Sequence, residues 1–579
     1  MILPEVTAAE QVGFPILSML LILPVAVLIA LQFVRDEDRA YRVALAGSVL
    51  ELLLSVTVAL VFVRDVADMQ FIERVGPIPF LGFGYHLGVD GISVLFLPLT
   101  ALMTMLVILY AEYAAKADTR HYMMATLGLE ATLIGAFVSL DLILFWVFFV
   151  LELVPSYFLI TRWGTGPRRE RAAREYLGFM LPGSVLMLIG IVLLGVNAGR
   201  ETGSASFDFL ELLAVPVSVE LQTVIFFLLF FGFAVKAPIF PFHTWMPKVL
   251  EEGPIVGMSV FLVGIKLGTY GLIRFVIPLA PEAAKEWFWV AAALGVAGMV
   301  YGALIALIQT NLRRLLAFSS LSHMGVVMLG LFSLNLAGFQ GGLLQMINLG
   351  IVGAGLFFIA GFLHNRTGPP DLSVLGGLVH YVPTLTATFL IIAIAGVGLP
   401  GTNGFNGEHL VMIGTYQVHW VMAAASGLGV FLTASYVLYY FLRGFLGQPA
   451  SAQAQRTIET MPDLGRRELI IAITLGALVF WIGLDTGPIL NTMNGSLRAL
   501  ETRVEQGSVS QPLRSPTESG SSAERPADGR ARGQLVIAWE RCCDSQRGYR
   551  HPADRVPDPQ HPDPSPDRLG DPPEPDRER

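Results

Sequence analysis

The stretch Phe226–Phe240 reads FFLLFFGFAVKAPIF, and Lys236 is the ionisable residue in it. A run this apolar belongs inside a bilayer, where a charged side chain at the centre costs at least about 3 kcal/mol on insertion scales. A lysine kept at that cost faces a wet cavity or a partner and carries function. The same argument holds for Lys266 in Val256–Val276 (VGMSVFLVGIKLGTYGLIRFV). It holds again for Glu408, which follows the broken apolar run Leu390–Pro400 in GLPGTNGFNGEHLVM. Three such groups in long hydrophobic segments point to a path for protons or cations through a membrane.

Composition agrees. Of 579 residues, 54% are hydrophobic and 15% charged, with a mean hydropathy of +0.61; soluble domains average about 25% charged residues. Repeated apolar stretches of about 20 residues, each enough to cross about 30 Å of hydrocarbon as a helix, favour a helical bundle over a barrel. The fold class is an all-α polytopic membrane protein. The net charge of −8 carries little information, because such a protein is sorted by where its charges fall. Cys542 and Cys543 are adjacent in a polar tail, so the core has no cysteine for an iron–sulfur cluster or a disulfide framework. The first apolar segment is long and lacks a basic flank, so it reads as a span and not as a cleavable signal.

Hydropathy predicts about fourteen spans, at roughly 14–34, 43–64, 91–110, 121–140, 142–161, 176–197, 217–240, 255–278, 286–308, 313–334, 337–363, 383–414, 417–442 and 468–490. Lys and Arg crowd the odd loops: Arg35, Arg39 and Arg42 in the first, Lys116 and Arg120 in the third, Arg162, Arg168, Arg169, Arg171 and Arg174 in the fifth. The even loops hold Arg64, Arg74, Arg200, Arg274 and Lys285. This alternation places both termini outside the cytoplasm. The arginine cluster 162–174 reads as a topology anchor and not as a nucleic-acid site. Arg313 and Arg314 are expected to contact lipid phosphate or a neighbouring subunit.

Two spans look discontinuous. Pro238 and Pro241 follow Lys236, and Val397–Gly407 (VGLPGTNGFNG) combines a proline with glycines. Both residue types interrupt helical hydrogen bonding, and in hydrocarbon the freed groups need protein or water. Paired breaks in matching halves are the pointer to an inverted-repeat transporter. Spans 4–8 and 9–13 are the expected five-helix repeats, with breaks in spans 7 and 12. Residues 1–120 then carry spans 1–3, 121–280 the first repeat, 281–445 the second, and 446–494 a loop and span 14. From about Gly495 the composition turns to Ser, Pro, Asp, Arg and Glu, so 495–579 is expected to be a disordered tail, dispensable for transport.

Several phrases together resemble a known family: YHLGVDGIS at Tyr85–Ser93, VKAPIFPFHTWMP at Val235–Pro247, KLGTYGLIRF at Lys266–Phe275 and QTNLRRLLAFSSLSHMG at Gln309–Gly325. GLPGTNGFNGE at Gly398–Glu408, Arg443 and RREL at Arg466–Leu469 fit as well. These resemble the antiporter-like membrane subunit M (also called subunit 4) of proton-pumping NADH–quinone oxidoreductase, respiratory complex I. They are similar also to the D-type subunit of photosynthetic-type complexes and, more distantly, to the D-type subunit of multisubunit sodium/proton antiporters. The resemblance covers about residues 75–490 and not the tail.

The resemblance implies a proton relay. Lys236 would be the central lysine: burial disfavours its charged form and a nearby anion favours it, so moving that anion loads and unloads a proton. Lys266 would pass protons towards the middle, His323 would continue the path as a group titrating near neutral pH, and Glu408 would close it on the exit side. The bland readings are a snorkelling or structurally paired lysine, a Glu408 nearer the surface and a hydrogen-bonded core histidine at 323. His243 reads as structural, holding the end of the broken helix. Glu130 either lines the proton inlet or pairs with a neighbour, and Asp141 is a further acid after it.

Two positions depart from the family. It usually carries a glutamate nine residues after the aspartate that matches Asp141; that position is Val150, and the nearby carboxylate is Glu152. Two residues turn a helix by about 200°, so Glu152 would ordinarily face away from Lys236. Either it substitutes through a local helix irregularity or the loading switch is altered. Photosynthetic-type relatives often carry acids at both positions, which favours Glu152 as the partner. Asn348 stands where many relatives have histidine, and it hydrogen-bonds water without titrating.

Three functions compete. The first is a proton-translocating subunit of a complex I-like NAD(P)H–quinone oxidoreductase. NADH, FMN, iron–sulfur clusters and quinone are then expected in partner subunits and none in this chain, since no G-x-G-x-x-G follows a strand. The second is a cation/proton antiporter subunit, and the third a proton-conducting chain coupled to inorganic-carbon uptake. A membrane scaffold is the bland alternative. Expected partners are other membrane subunits, lipid and protons, with no nucleic acid, in a bacterial inner membrane.

Overall fold

The computed structural model describes residues 3–76, 82–115, 118–449 and 451–507. Its helices of ten or more residues are α1 (Ile16–Phe33), α2 (Glu37–Val61), α3 (Phe96–Leu109), α4 (Thr119–Val138), α5 (Leu142–Trp163), α6 (Arg169–Thr202), α7 (Val219–Lys236) and α8 (Met258–Leu279). They continue with α9 (Pro281–Leu307), α10 (Leu312–Leu331), α11 (Leu336–Thr367), α12 (Pro383–Val397), α13 (Asn403–Val418), α14 (Trp420–Leu446), α15 (Arg466–Leu484) and α16 (Gly487–Gln506). Among the described residues, 12 helices are long and apolar enough to cross a membrane, and α3 and α12 are shorter apolar helices. The chain is a mostly helical, polytopic membrane protein.

The bundle is sorted by burial. α8 is buried along its whole length and α10 and α11 nearly so, whereas α2, α14 and α15 turn most of their apolar surface outward. A helix apolar on every side belongs in the middle of a bundle; outward apolar faces suit hydrocarbon. A small sheet joins β1 (Glu5–Thr7), β2 (Met69–Val75) and β3 (Tyr85–Val89), β1 parallel and β3 antiparallel to β2. Glu73 of β2 accepts the Leu17 and Ser18 N–H groups at 2.7 and 2.9 Å, satisfying donors left free at the start of α1.

Both expected breaks are present. α7 stops at Lys236, and a short helix, Trp245–Glu252, follows after a turn containing Pro238 and Pro241. The Trp245 indole donates to the Val235 carbonyl at 3.0 Å, taking up an acceptor that the break frees. α12 ends at Val397, where Gly398 and Gly401 adopt positive φ (+77° and +90°), and α13 starts at Asn403. There the Asn348 amide donates to the Asn403 carbonyl at 2.7 Å.

Three expectations are corrected. Arg274, counted among the loop charges, lies inside α8 in a π-helical turn, buried and 2.7 Å from Asp90, which neutralises it. Arg313, expected to meet lipid or another subunit, is buried instead. It donates to Thr165 Oγ1 at 2.6 Å and to the Leu250 and Gly253 carbonyls at 2.9 and 2.6 Å. Those carbonyls close the Trp245–Glu252 helix, whose orphan acceptors attract a cation. Arg314 faces Glu251 at 4.0 Å. Finally, the change in composition at Gly495 does not end the helix: α16 runs to Gln506 because Met493, Leu497, Leu500 and Val504 form a buried stripe. The disorder expected beyond it, with Lys116, Cys542 and Cys543, lies outside the described residues.

Candidate functional site

Lys236 is the last residue of α7, at the point where Pro238 and Pro241 forbid further helix. Its side chain is 1% exposed and its Nζ forms an ion pair with Glu152 Oε2. The Tyr176 hydroxyl, from α6, lies 3.2 Å from both Lys236 Nζ and Glu152 Oε2, and Ser156 Oγ donates to Glu152 Oε1 at 2.9 Å. The rings of Phe149, Tyr176 and Phe261 stand 5.7 to 5.9 Å from the ammonium. A cation and an anion buried this deeply are stabilised only when their remaining donors and acceptors are met, and this cluster meets them.

The expectation that helical spacing turns Glu152 away from Lys236 is corrected: Glu152 lies on the buried stripe of α5, at ordinary helical spacing from Phe145, Phe149 and Ser156. Its backbone stays right-handed helical (φ −57°, ψ −26°), and its N–H bonds the Phe148 carbonyl at 3.0 Å. Pro155 lacks the N–H that would bond the Leu151 carbonyl, which loosens this turn. Gly264 of α8 makes room for the carboxylate, since a Cβ there would sit 3.2 Å from Glu152 Oε1.

Lys266 lies just beyond Gly264 on α8 and is 2% exposed. α8 touches the break after α7 directly: a Cβ on Gly268 would press against the Ala237 backbone. Lys266 and His323 line one cavity of about 30 Å³ together with Ser319, Ser320 and Gly396. A cavity that holds a water needs about 10–15 Å³, so water fits between the two basic groups.

His323 of α10 stands 3.5 Å from Glu408 Oε1, within ion-pair range but without hydrogen-bond geometry. Gln345 Nε2 donates to the same oxygen at 3.3 Å, and Asn348 Nδ2 lies 3.4 Å from Gln345 Oε1. Glu408 is buried on the first turns of α13 and fits against Gly398, whose missing Cβ leaves the space. Asn348 Oδ1 and both side-chain polar atoms of Asn403 are buried without a partner among the described residues. Beside this cluster Ser319 Oγ lies 2.8 Å from the Tyr436 hydroxyl.

The structure thus brings Glu152 and Lys236 together, His323 and Glu408 together, and Lys266 to the cavity that His323 shares. His243 stacks on Phe240 (centroids 5.6 Å) and meets Tyr301 edge-on (5.1 Å) at the α7 break. Asp141 caps α5, accepting the Ile143 and Leu144 N–H groups at 2.9 and 3.0 Å. Sequence reading missed Tyr176, Gln345, Asn403 and Tyr436. Polar side chains of their kind are common in helices, and of the four only Asn403 lies in a stretch, the Val397–Gly407 break, that the sequence marks.

A sequence profile described as NADH:quinone oxidoreductase/Mrp antiporter, TM, matches residues 139–433. The chain belongs to this family. NADH-quinone oxidoreductase subunit M of Rickettsia typhi is 33% identical over 84% of the chain and 98% of its own length. NADH-ubiquinone oxidoreductase chain 4 of Marchantia polymorpha is 34% identical over 84% and 96%. Among solved structures, a subunit of respiratory complex I from Thermus thermophilus with bound NADH superposes with a TM-score of 0.76 at 30% identity, covering 84% of this chain and 99% of that one. The Mrp complex from Dietzia sp. matches at 0.72 and 22% identity over 85% and 100%, a likeness of fold.

Proposed function

We propose that the chain is a proton-translocating membrane subunit of a complex I-like NAD(P)H–quinone oxidoreductase, in which Glu152, Lys236, Lys266, His323 and Glu408 relay protons. The observation that carries the reading is the buried Glu152–Lys236 ion pair at the break after α7. While Glu152 stays in place, Lys236 keeps its proton. When the carboxylate withdraws, the ammonium is left in a dry aromatic pocket and gives the proton up. Water in the Lys266–His323 cavity carries it on, and Glu408 receives it beside the second break. The unpartnered amide atoms of Asn348 and Asn403 suit a bridging water there.

The subunit M relatives and the Thermus complex I subunit support this function. The cation/proton antiporter reading has the likeness of fold behind it. NADH, FMN, iron–sulfur clusters and quinone belong to partner subunits in this reading, and the coupling to them is conformational and electrostatic. Counting α12 and α13 as one interrupted span gives fourteen crossings. Matched loop contacts support the inverted repeats: Asp141, the N-cap of α5, bridges Asp208 between α6 and α7, and Asn311, the N-cap of α10, bridges Asp371 between α11 and α12. The loop charges put both termini on the non-cytoplasmic side of a bacterial inner membrane.

The test is proton uptake by liposomes that contain the assembled complex during quinone reduction. Lys236→Ala should abolish uptake; pumping at the wild-type level would remove Lys236 from the path.

A further inference from the structure

α16 lies against the end of α8, and a cleft of about 30 Å³ remains between them. Asp90, Phe209, Arg274, Pro278, Ser496 and Arg503 are among its lining residues. Arg274 and Pro278 stand one turn apart on α8, and Ser496 and Arg503 two turns apart on α16, so each pair shares a helix face. Arg503 Nε donates to the Pro278 carbonyl at 3.2 Å, which holds this guanidinium within a turn of Arg274. Both arginines are buried, at 5% and 3% exposure.

The charges lining the cleft are two cations and one anion. Asp90 is fully engaged: Oδ2 takes Arg274 Nη1 at 2.7 Å, and Oδ1 accepts the Ile92 and Ser93 N–H groups at 3.0 and 3.3 Å. Among the described residues Arg503 forms no ion pair, and its bond to Pro278 meets a neutral acceptor. Arg274 Nε is buried without a hydrogen-bond partner. Ser496 Oγ accepts the Gly91 N–H at 2.9 Å, which leaves its own proton to donate. Acids nearby serve other cations: Asp208 and Glu211 face Arg74, Glu282 faces Lys285 and Asp65 faces Arg498. A guanidinium does not shed its proton in a protein, so the surplus positive charge calls for an anion from outside this set. One water needs about 10–15 Å³ of such space, so the cleft admits an ion of that order of size and is too small for a phospholipid headgroup.

We propose that this cleft binds one small monovalent anion of the halide class, held by Arg274 and Arg503 with the Ser496 hydroxyl as a third donor. With the ion in place the two guanidinium charges are balanced by Asp90 and the anion, and Arg274 Nε gains an acceptor. The ion also fastens α16 to the end of α8. Its duty is structural and separate from proton transfer through Lys236, and it does not depend on the relay or on the enzyme to which the chain belongs.

Crystals of the assembled complex grown in bromide report the ion by anomalous scattering. One peak is expected within hydrogen-bond distance of Arg274 and Arg503, and it should vanish in Arg503→Gln. In solution, replacing chloride by gluconate at constant ionic strength should lower the melting temperature of the wild-type complex, because gluconate is too large for the cleft, and Arg503→Gln should lose that dependence. Ser496→Asp supplies a tethered carboxylate, so it should exclude bromide and keep its melting temperature in gluconate. Water alone in the cleft, a carboxylate of a neighbouring chain or of residues 508–579 seated there, or bromide bound without any halide dependence of stability (an adventitious ion only) would each overturn the proposal. Should Arg503→Gln fail to assemble, Ser496→Asp decides by itself, and an undiminished bromide peak in that variant is equally fatal.

Discussion

The two charged clusters in the bundle are built in opposite senses. In the first, the acid is on α5 and the base ends α7; in the second, the base is on α10 and the acid follows the break, on α13. The first is closed: the Lys236 ammonium is met by Glu152 and Tyr176, and Ser156 holds the other carboxylate oxygen. The second is open, with His323 3.5 Å from Glu408 and with Asn348 and Asn403 offering unused polar atoms. A closed ion pair holds its proton until one member moves. An open one admits water and exchanges protons without a large rearrangement. In the proposed relay, that contrast suits loading in the first half and release in the second.

The largest effect is expected where the closed pair is cut. Lys236→Met strands a buried carboxylate and should lower the stability of the chain by about 3–5 kcal/mol, whereas removing both charges in Glu152→Leu/Lys236→Met should recover most of the loss. Thermal unfolding of the complex in detergent checks this, and a double variant no better than the single would mean that the pair is not closed. At the open cluster, Glu408→Gln retains a hydrogen-bonding partner for Gln345 and should cost about 1 kcal/mol or less. If Glu408→Gln proves as damaging as Lys236→Met, the distinction between the halves is lost.

The smallest effect lies outside the membrane spans, at Asp208, which bonds His86 and faces Arg74 at 3.5 Å. Burial alone would raise its carboxyl, but His86, Arg74 and the Glu211 N–H outweigh burial and hold it below the usual carboxylate range. A depressed folded-state value stabilises the fold above the unfolded value of about 3.9 and stops doing so as the pH falls through the folded value. Asp208→Asn should therefore lower the melting temperature near neutral pH, and the gap from wild type should close on acidification. A gap independent of pH would assign Asp208 a role in capping alone.

How much was legible depended on the kind of signal. Lys236, Lys266 and Glu408 were visible because a charge in an apolar run is costly and therefore rare. The two breaks were visible because proline and glycine act on their own backbone. Arg274 and Arg313 were misread, because a guanidinium near a helix end looks the same whether it meets lipid or a buried acceptor. α16 was missed because a polar composition hid an apolar stripe with helical spacing. Glu51, buried in the structure, drew no notice in a helix that also carries charges at its start.

The sequence alone determined that this chain is a helical membrane protein, where its helices break and that Lys236, Lys266 and Glu408 are costly groups in apolar segments, since hydropathy and backbone chemistry are local properties. Tertiary structure decided the pairing. The family pattern led to the expectation that Glu152 faces away from Lys236, but it lies on the buried stripe of α5 with Phe145 and Phe149, and the space left by Gly264 admits its carboxylate. Which buried charge meets which depends on how separate helices pack, and residue order does not encode that one residue at a time.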